Sequence, residues 1–156
     1  RRACNRYRFR SVGAMKSRTE ARICALQSLY ELDLTDHLLG EVVADRVSAM
    51  SLDETQYEFA RMLTAGVHEY ADRLDALIAE HAPEWPLDQV AVIDRNILRL
   101  ALWEVAVYRK TPLKVGINEA VELAKAFGTD SSARFVNGVL GSLADNIETI
   151  TQTLNK

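Results

Sequence analysis

The stretch that decides the fold reads Ile117-Asn118-Glu119-Ala120-Val121-Glu122-Leu123-Ala124-Lys125-Ala126-Phe127-Gly128, followed seven residues later by Phe135-Val136-Asn137-Gly138-Val139-Leu140. Apolar side chains recur at Leu113, Ile117, Ala120, Val121, Ala124 and Phe127, which is the spacing of one helix face. Gly128 ends that helix. A second stripe, Val136, Val139, Leu140, Leu143, Ile147 and Ile150, predicts a last helix capped by Ser131 or Ser132. Two amphipathic helices joined by a polar turn therefore lie at the centre of the reading. Asparagines and aromatics sit where a plain bundle has no need of them, which suggests a recognition surface rather than a catalytic pocket.

Working outward, Thr111-Pro112 reads as N-cap and first helical residue of the helix that carries Ile117. Before it, Asp94 to Arg109 is apolar nearly all round after its first turn, the mark of a buried central helix. Ala82-Pro83-Glu84-Trp85-Pro86 breaks the chain firmly, with Leu87 to Val92 as a short helix or turn beyond it. Upstream, Ser51-Leu52-Asp53-Glu54 reads as a capping box for a long helix carrying Phe59, Leu63, Val67, Tyr70, Leu74, Leu77 and Ile78. Asp36 is expected to cap a helix reaching about Met50. A further box, Ser17-Arg18-Thr19-Glu20, opens the first helix, with Ile23, Leu26 and Tyr30 on one stripe and Ala25, Leu29 and Leu32 on the next. No segment shows sustained strand alternation, so the chain reads as all-α. One helical domain is expected over 16–150, with halves at 16–82 and 83–150. Residues 151–156 form a polar tail expected to fray. Residues 1–15 are expected to be a disordered extension, because Met15-Lys16-Ser17 looks like a natural start and no signal-peptide apolar stretch precedes it.

With 156 residues the chain can bury a core without staples. No apolar run approaches the ~20 residues of a membrane span. Cys4 and Cys24 form no CxxC pair, and His37, His68 and His81 complete no zinc pattern, so no metal or cofactor is expected. Cys24 lies among core positions and reads as a buried thiol of a reduced compartment. There is no Gly-rich phosphate loop. Glu119 and Glu122 have helical spacing, and a solvated face explains them better than acid–base work. No nucleophile, base and orienter occur together, and no enzyme is expected.

Charge is distributed unevenly. The net charge is −3, yet residues 1–22 hold eight basic residues and one acid, leaving 11 basic and 21 acidic in the remainder. Lys16, Arg18 and Arg22 cluster in the first turns of a helix, where the macrodipole disfavours cations. Three such cations fit an ordinary solvated helix end equally well, and a polyanion partner supplies a reason to put them there. The second candidate surface is the turn between the two helices quoted above, with Lys125, Phe127, Arg134 and Phe135. Phe127 fits core packing as well as base stacking. Phe135 stands at the edge of its stripe beside Arg134, a placement suited to stacking an unpaired base. Asn118 and Asn137 are open to capping, helix-to-helix bonding or RNA contact.

Arg18-x-x-Ala21-Arg22-x-x-Ala25-Leu26-Gln27-x-Leu29-Tyr30 resembles the opening helix of the NusB family of bacterial transcription antitermination factors. Pro83-x-Trp85-Pro86 with Asp94-Arg95-x-Ile97-Leu98-Arg99-Leu100-Ala101 resembles its middle. The two blocks quoted first resemble its most specific segments, and the match runs in order from about Lys16 to Leu143. The resemblance implies about seven helices in two small bundles. It implies binding of the boxA element of nascent ribosomal RNA leader transcripts, together with a small-subunit ribosomal protein acting as NusE. It also implies assembly with other Nus factors on RNA polymerase, in the cytoplasm. By the same resemblance Lys16, Arg18 and Arg22 contact RNA, with Phe127 and Phe135 as the aromatics of the turn and Arg134 on a phosphate. A protein-facing surface is implied around Tyr30 and Asp94. Fewer arginines follow Met15 than in some members, so modest affinity for RNA alone is expected. Two other readings remain: the RNA-binding part of a ribosomal RNA cytosine methyltransferase, and a protein-only scaffold such as a homodimer.

Overall fold

Why the chain breaks where it does is visible at the second and third helices. In the computed structural model, residues 14–156 are described except 85, 87 and 88, with backbone only for 14–16. The extension expected at 1–15 thus lies, up to residue 13, outside the described residues, as do Trp85, Leu87 and the side chain of Lys16. Among the described residues there are seven α-helices, one π-helical turn and no strand. They are α1 (Ala14–Leu34), α2 (Leu39–Met50), α3 (Glu54–His81), α4 (Val92–Trp103), α5 (Leu113–Phe127), α6 (Ser132–Ala144) and α7 (Ile147–Leu154), with the π-helical turn at Glu104–Tyr108 following α4. The chain groups into two compact units, one ending at His68 and the other beginning at Glu69.

In the first unit α1 packs on α2. Ala21, Ile23, Cys24, Ala25, Leu26 and Leu29 of α1 are buried, as are Val42 and Val43 of α2 and Phe59, Ala60, Leu63 and Val67 of α3. Cys24 is buried and takes part in no disulfide among the described residues, as its position predicts. Three expected caps fall elsewhere. Helix α1 begins at Ala14, so Ser17 lies inside it. Helix α2 starts after Leu38 rather than Asp36. Ser51 adopts a left-handed conformation (φ 55°) to close α2, so it cannot also open α3. Asp53 takes that job: its Oδ1 accepts the Gln56 N–H at 2.8 Å while Gln56 Oε1 accepts the Asp53 N–H at 3.0 Å. This is a reciprocal capping box two residues later than the one expected.

The second unit is built around α4, whose residues Ile97 to Trp103 are all buried, in keeping with the central helix expected there. Helix α5 packs on α4 and α6, and α6 also packs on α4. The expected helix to Arg109 instead widens into the π-helical turn, which Arg109 closes with φ 67° and an N–H donated to the Glu104 carbonyl. Such a turn frees backbone carbonyls that need other donors. Asn155 Nδ2 supplies one to Ala106 at 2.8 Å. Thr111 donates its hydroxyl to the buried Glu104 carboxylate rather than capping α5, which starts after Pro112. The single expected last helix is divided at Asp145–Asn146 into α6 and α7. Helix α7 continues to Leu154, where a 1% exposed leucine pairs with buried Ile150 one turn earlier.

Candidate nucleic-acid interface

The basic end of α1 is built on α3. Gln56, buried just inside the α3 cap, donates its Nε2 to the Ser17 carbonyl at 3.0 Å and to Glu20 Oε1 at 3.2 Å. One side chain therefore caps its own helix and ties down the neighbouring one. One turn further along α3 stands Phe59. The guanidinium carbon of Arg18 lies 4.3 Å from its ring centroid and that of Arg22 lies 5.5 Å away. Arg18 and Arg22 are four residues apart, so they share a helix face and repel by roughly 0.2–0.5 kcal/mol. Each contact with the ring quadrupole offsets that by about 0.5–1 kcal/mol. Arg18 is exposed, whereas Arg22 is only 6% exposed. The two are thus brought together on one ring, with Arg18 the more accessible to a ligand.

The second group lies on α5 and α6. Lys125 is exposed and pairs with Glu122 at 3.0 Å. A surface pair of this kind is worth about 0–1 kcal/mol, so a phosphate can replace the carboxylate. Arg134 is exposed, and Phe127 and Phe135 are half-buried. The turn between them is fastened by Ser132. Its Oγ accepts the Thr129 N–H at 2.8 Å and donates to Asp94 Oδ2 at 3.0 Å. The Phe135 N–H is donated to the Ser131 carbonyl. These four candidates share one helix–turn–helix of the second unit, while Arg18 and Arg22 belong to the first.

Tyr30 is 41% exposed, and Leu34 one turn later is more exposed still. Asp94 is placed differently: only 7% exposed, it faces Ser132, and its Oδ1 has no hydrogen-bond partner. Burial pushes its carboxyl above the usual carboxylate range, and the Ser132 hydroxyl pulls the other way. A folded-state pKa above the unfolded one means that ionising Asp94 costs stability. The cost is absent below the ordinary aspartate pKa and grows as pH rises through the folded one. Asp94→Asn is therefore expected to match the parent in acid and to exceed it in stability near neutral pH. Urea unfolding across that range tests this, and an advantage that grows toward acid would contradict it.

Sequence reasoning missed Phe59, Gln56 and Ser132 as parts of these surfaces. Phe59 was legible only as an apolar position of its helix. The signal that pointed further was the four-residue spacing of Arg18 and Arg22.

The model of the NusB family matches residues 19–145. The chain belongs to the NusB family. The matched span takes in Arg22, Tyr30, Asp94 and the whole α5–α6 turn, while Lys16 and Arg18 stand just before it. The transcription antitermination protein NusB of Chloroflexus aggregans is 47% identical over 128 residues, covering 81% of this chain and 85% of that protein. NusB of Bacillus subtilis is 44% identical over 135 residues, covering 86% of this chain and 98% of that protein. Among solved structures, a chain from a crystal structure of antitermination factors NusB and NusE in complex with double-stranded RNA superposes with a TM-score of 0.77 at 26% identity, covering 85% of this chain and 98% of that one. Within the described residues no helix is long and apolar enough to cross a membrane. Nor does any group of three or more His, Cys, Asp or Glu residues there have the arrangement to hold a metal ion.

Proposed function

We propose that this chain is a cytoplasmic, non-catalytic RNA-binding factor of transcription antitermination. It takes boxA-like RNA of nascent ribosomal transcripts jointly with the small-subunit ribosomal protein acting as NusE, and joins other Nus factors on RNA polymerase. The observation that carries this is the likeness, over 85% of the chain, to a NusB solved with NusE and RNA. The relatives are covered over 85% and 98% of their own lengths and are named for antitermination, which favours this reading over the methyltransferase one. In this reading Lys16, Arg18 and Arg22 form one RNA contact and Lys125, Phe127, Arg134 and Phe135 the other. Tyr30 belongs to a protein-facing surface of the first unit, and Asp94, bonded to Ser132, to one of the second.

The test is a titration with boxA-like and scrambled RNA, with and without the purified ribosomal partner. Preference for boxA-like RNA, strengthened by the partner, is expected. Arg18→Ala is expected to weaken binding and to reduce the slope of log K against log salt by ~0.7 for a single-stranded site. Equal affinity for both RNAs with the partner present would sink the proposal.

A further inference from the structure

Phe59 is buried at 7% exposure, yet it is the ring over which both arginines of the α1 end gather. A core side chain needs only apolar neighbours. Two guanidinium groups against one ring is a more specialised arrangement. A carboxylate in the same place would hold the arginines by neutralising them. A ring holds a cation through its quadrupole and adds no opposing charge, so restraint is gained without loss of attraction for phosphate. The neighbouring Gln56 bonds add to this by fixing the α1 backbone at Ser17. The first two turns of α3 thus set both the backbone and the side-chain geometry of the basic end of α1.

Resting on the RNA-binding reading above, we infer that Phe59 is a positioning residue for RNA, acting through the guanidinium groups of Arg18 and Arg22. It touches no RNA itself. It removes rotamer freedom from two long side chains before binding, and that ordering cost is otherwise met when the complex forms.

The experiment is a double-mutant cycle in the full chain, read as boxA-like RNA affinity with the ribosomal partner present and at a temperature where every variant is folded. Phe59→Leu keeps apolar volume and removes the ring. It is expected to weaken binding about three- to tenfold, the scale of ordering one or two such side chains. Phe59→Tyr retains the ring and is expected to stay within about twofold of the parent. In an Arg18→Ala/Arg22→Ala background, Phe59→Leu is expected to cost less than about twofold, because its route to the RNA is gone. Progressively fluorinated phenylalanine at position 59 keeps the shape while weakening the quadrupole, and affinity is expected to fall with each fluorine. This arm holds even if Phe59→Leu fails to fold. Full additivity in the cycle, or affinity indifferent to fluorination, overturns the inference while leaving the RNA reading intact. An unchanged affinity in Arg18→Ala/Arg22→Ala overturns the inference and removes both arginines from the RNA site, whereas the RNA reading itself fails only if boxA-like and scrambled RNA bind the parent equally.

Discussion

Asp75→Ala is expected to lower the thermal midpoint by roughly 4–16 °C, from a loss of about 2–4 kcal/mol at ~2–4 °C per kcal/mol for a chain of this size. Asp75 on α3 accepts two bonds from Arg99 on α4, from Nε at 2.7 Å and from Nη2 at 2.6 Å. The Arg99 side chain is 10% exposed and that of Asp75 is 30% exposed. Without the carboxylate, the buried guanidinium loses both of these short bonds, and its bond to Asn96 Oδ1, at 3.3 Å, is weaker than either. Stranding a buried charge costs about 3–5 kcal/mol when water is fully excluded, and the partial exposure of Asp75 brings the figure down. Arg99→Met removes the buried charge itself and leaves behind an aspartate that water can reach. It is therefore expected to cost less than Asp75→Ala, and the double variant to recover most of the loss. Calorimetry of the three variants decides it. A midpoint for Asp75→Ala within about 2 °C of the parent would show that the pair contributes no more than an ordinary surface contact.

The same pair shows what a sequence conveys and what it withholds. Helix α4 was legible because Ile97, Leu98, Leu100, Ala101, Leu102 and Trp103 leave no polar face, and that pattern is local. That Arg99 would find Asp75, 24 residues earlier, was not legible, since the pairing depends on how α3 meets α4. Asp94 reads as an acid at a helix start, where exposure is the ordinary outcome. Ser132, 38 residues later in the chain, closes over it instead. Capping patterns misled for a different reason. Ser51-x-x-Glu54 and Asp53-x-x-Gln56 overlap, and each satisfies the box locally. The choice was made by the end of the preceding helix, which took Ser51 as its left-handed terminator. At the polar C-terminus, composition argued for fraying, yet Leu154 is buried and Asn155 bonds the Ala106 carbonyl, so the helix runs on. The family blocks were legible because they combine local helix spacing with residues that spacing alone does not require. The platform under Arg18 and Arg22 was not, because Phe59 satisfies the core pattern of its helix whether or not two arginines lie on it.

Gly128→Ala is expected to destabilise by about 2–4 kcal/mol, from overpacking and from disruption of the hydrogen bonds of Ser132. Gly128 has φ −92° and ψ −167°, a conformation open to any residue, so backbone freedom is not what requires glycine. Space is. An added Cβ would collide with Cβ and Oγ of Ser132 and lie 2.9 Å from the Ala124 carbonyl oxygen. Ser132 cannot turn aside cheaply: it is 1% exposed, and its hydroxyl serves both the Thr129 N–H and Asp94. The carbonyl oxygen is backbone of α5 and moves only with the helix. Gly116 makes the contrast. A Cβ there meets Val105 Cγ2 at 2.5 Å, a side-chain methyl of a half-buried, χ1-stiff residue rather than helix backbone. Alanine gains up to about 0.5–1 kcal/mol over glycine inside a helix, so Gly116→Ala, which crowds one side chain and no backbone, is expected to cost less than Gly128→Ala. Because Phe127 precedes Gly128 and Phe135 lies in the first turn of α6, opening this turn also separates the two aromatics proposed to meet RNA. Gly128→Ala, assayed cold enough to remain folded, is therefore expected to lose RNA affinity as well as stability, while Gly116→Ala, at the far end of α5 from the turn, is expected to keep its RNA affinity. If Gly128→Ala melts with the parent, Ser132 has room to yield. If it is destabilised but binds RNA unchanged, the turn is a structural hinge point and the aromatics beside it do not meet RNA.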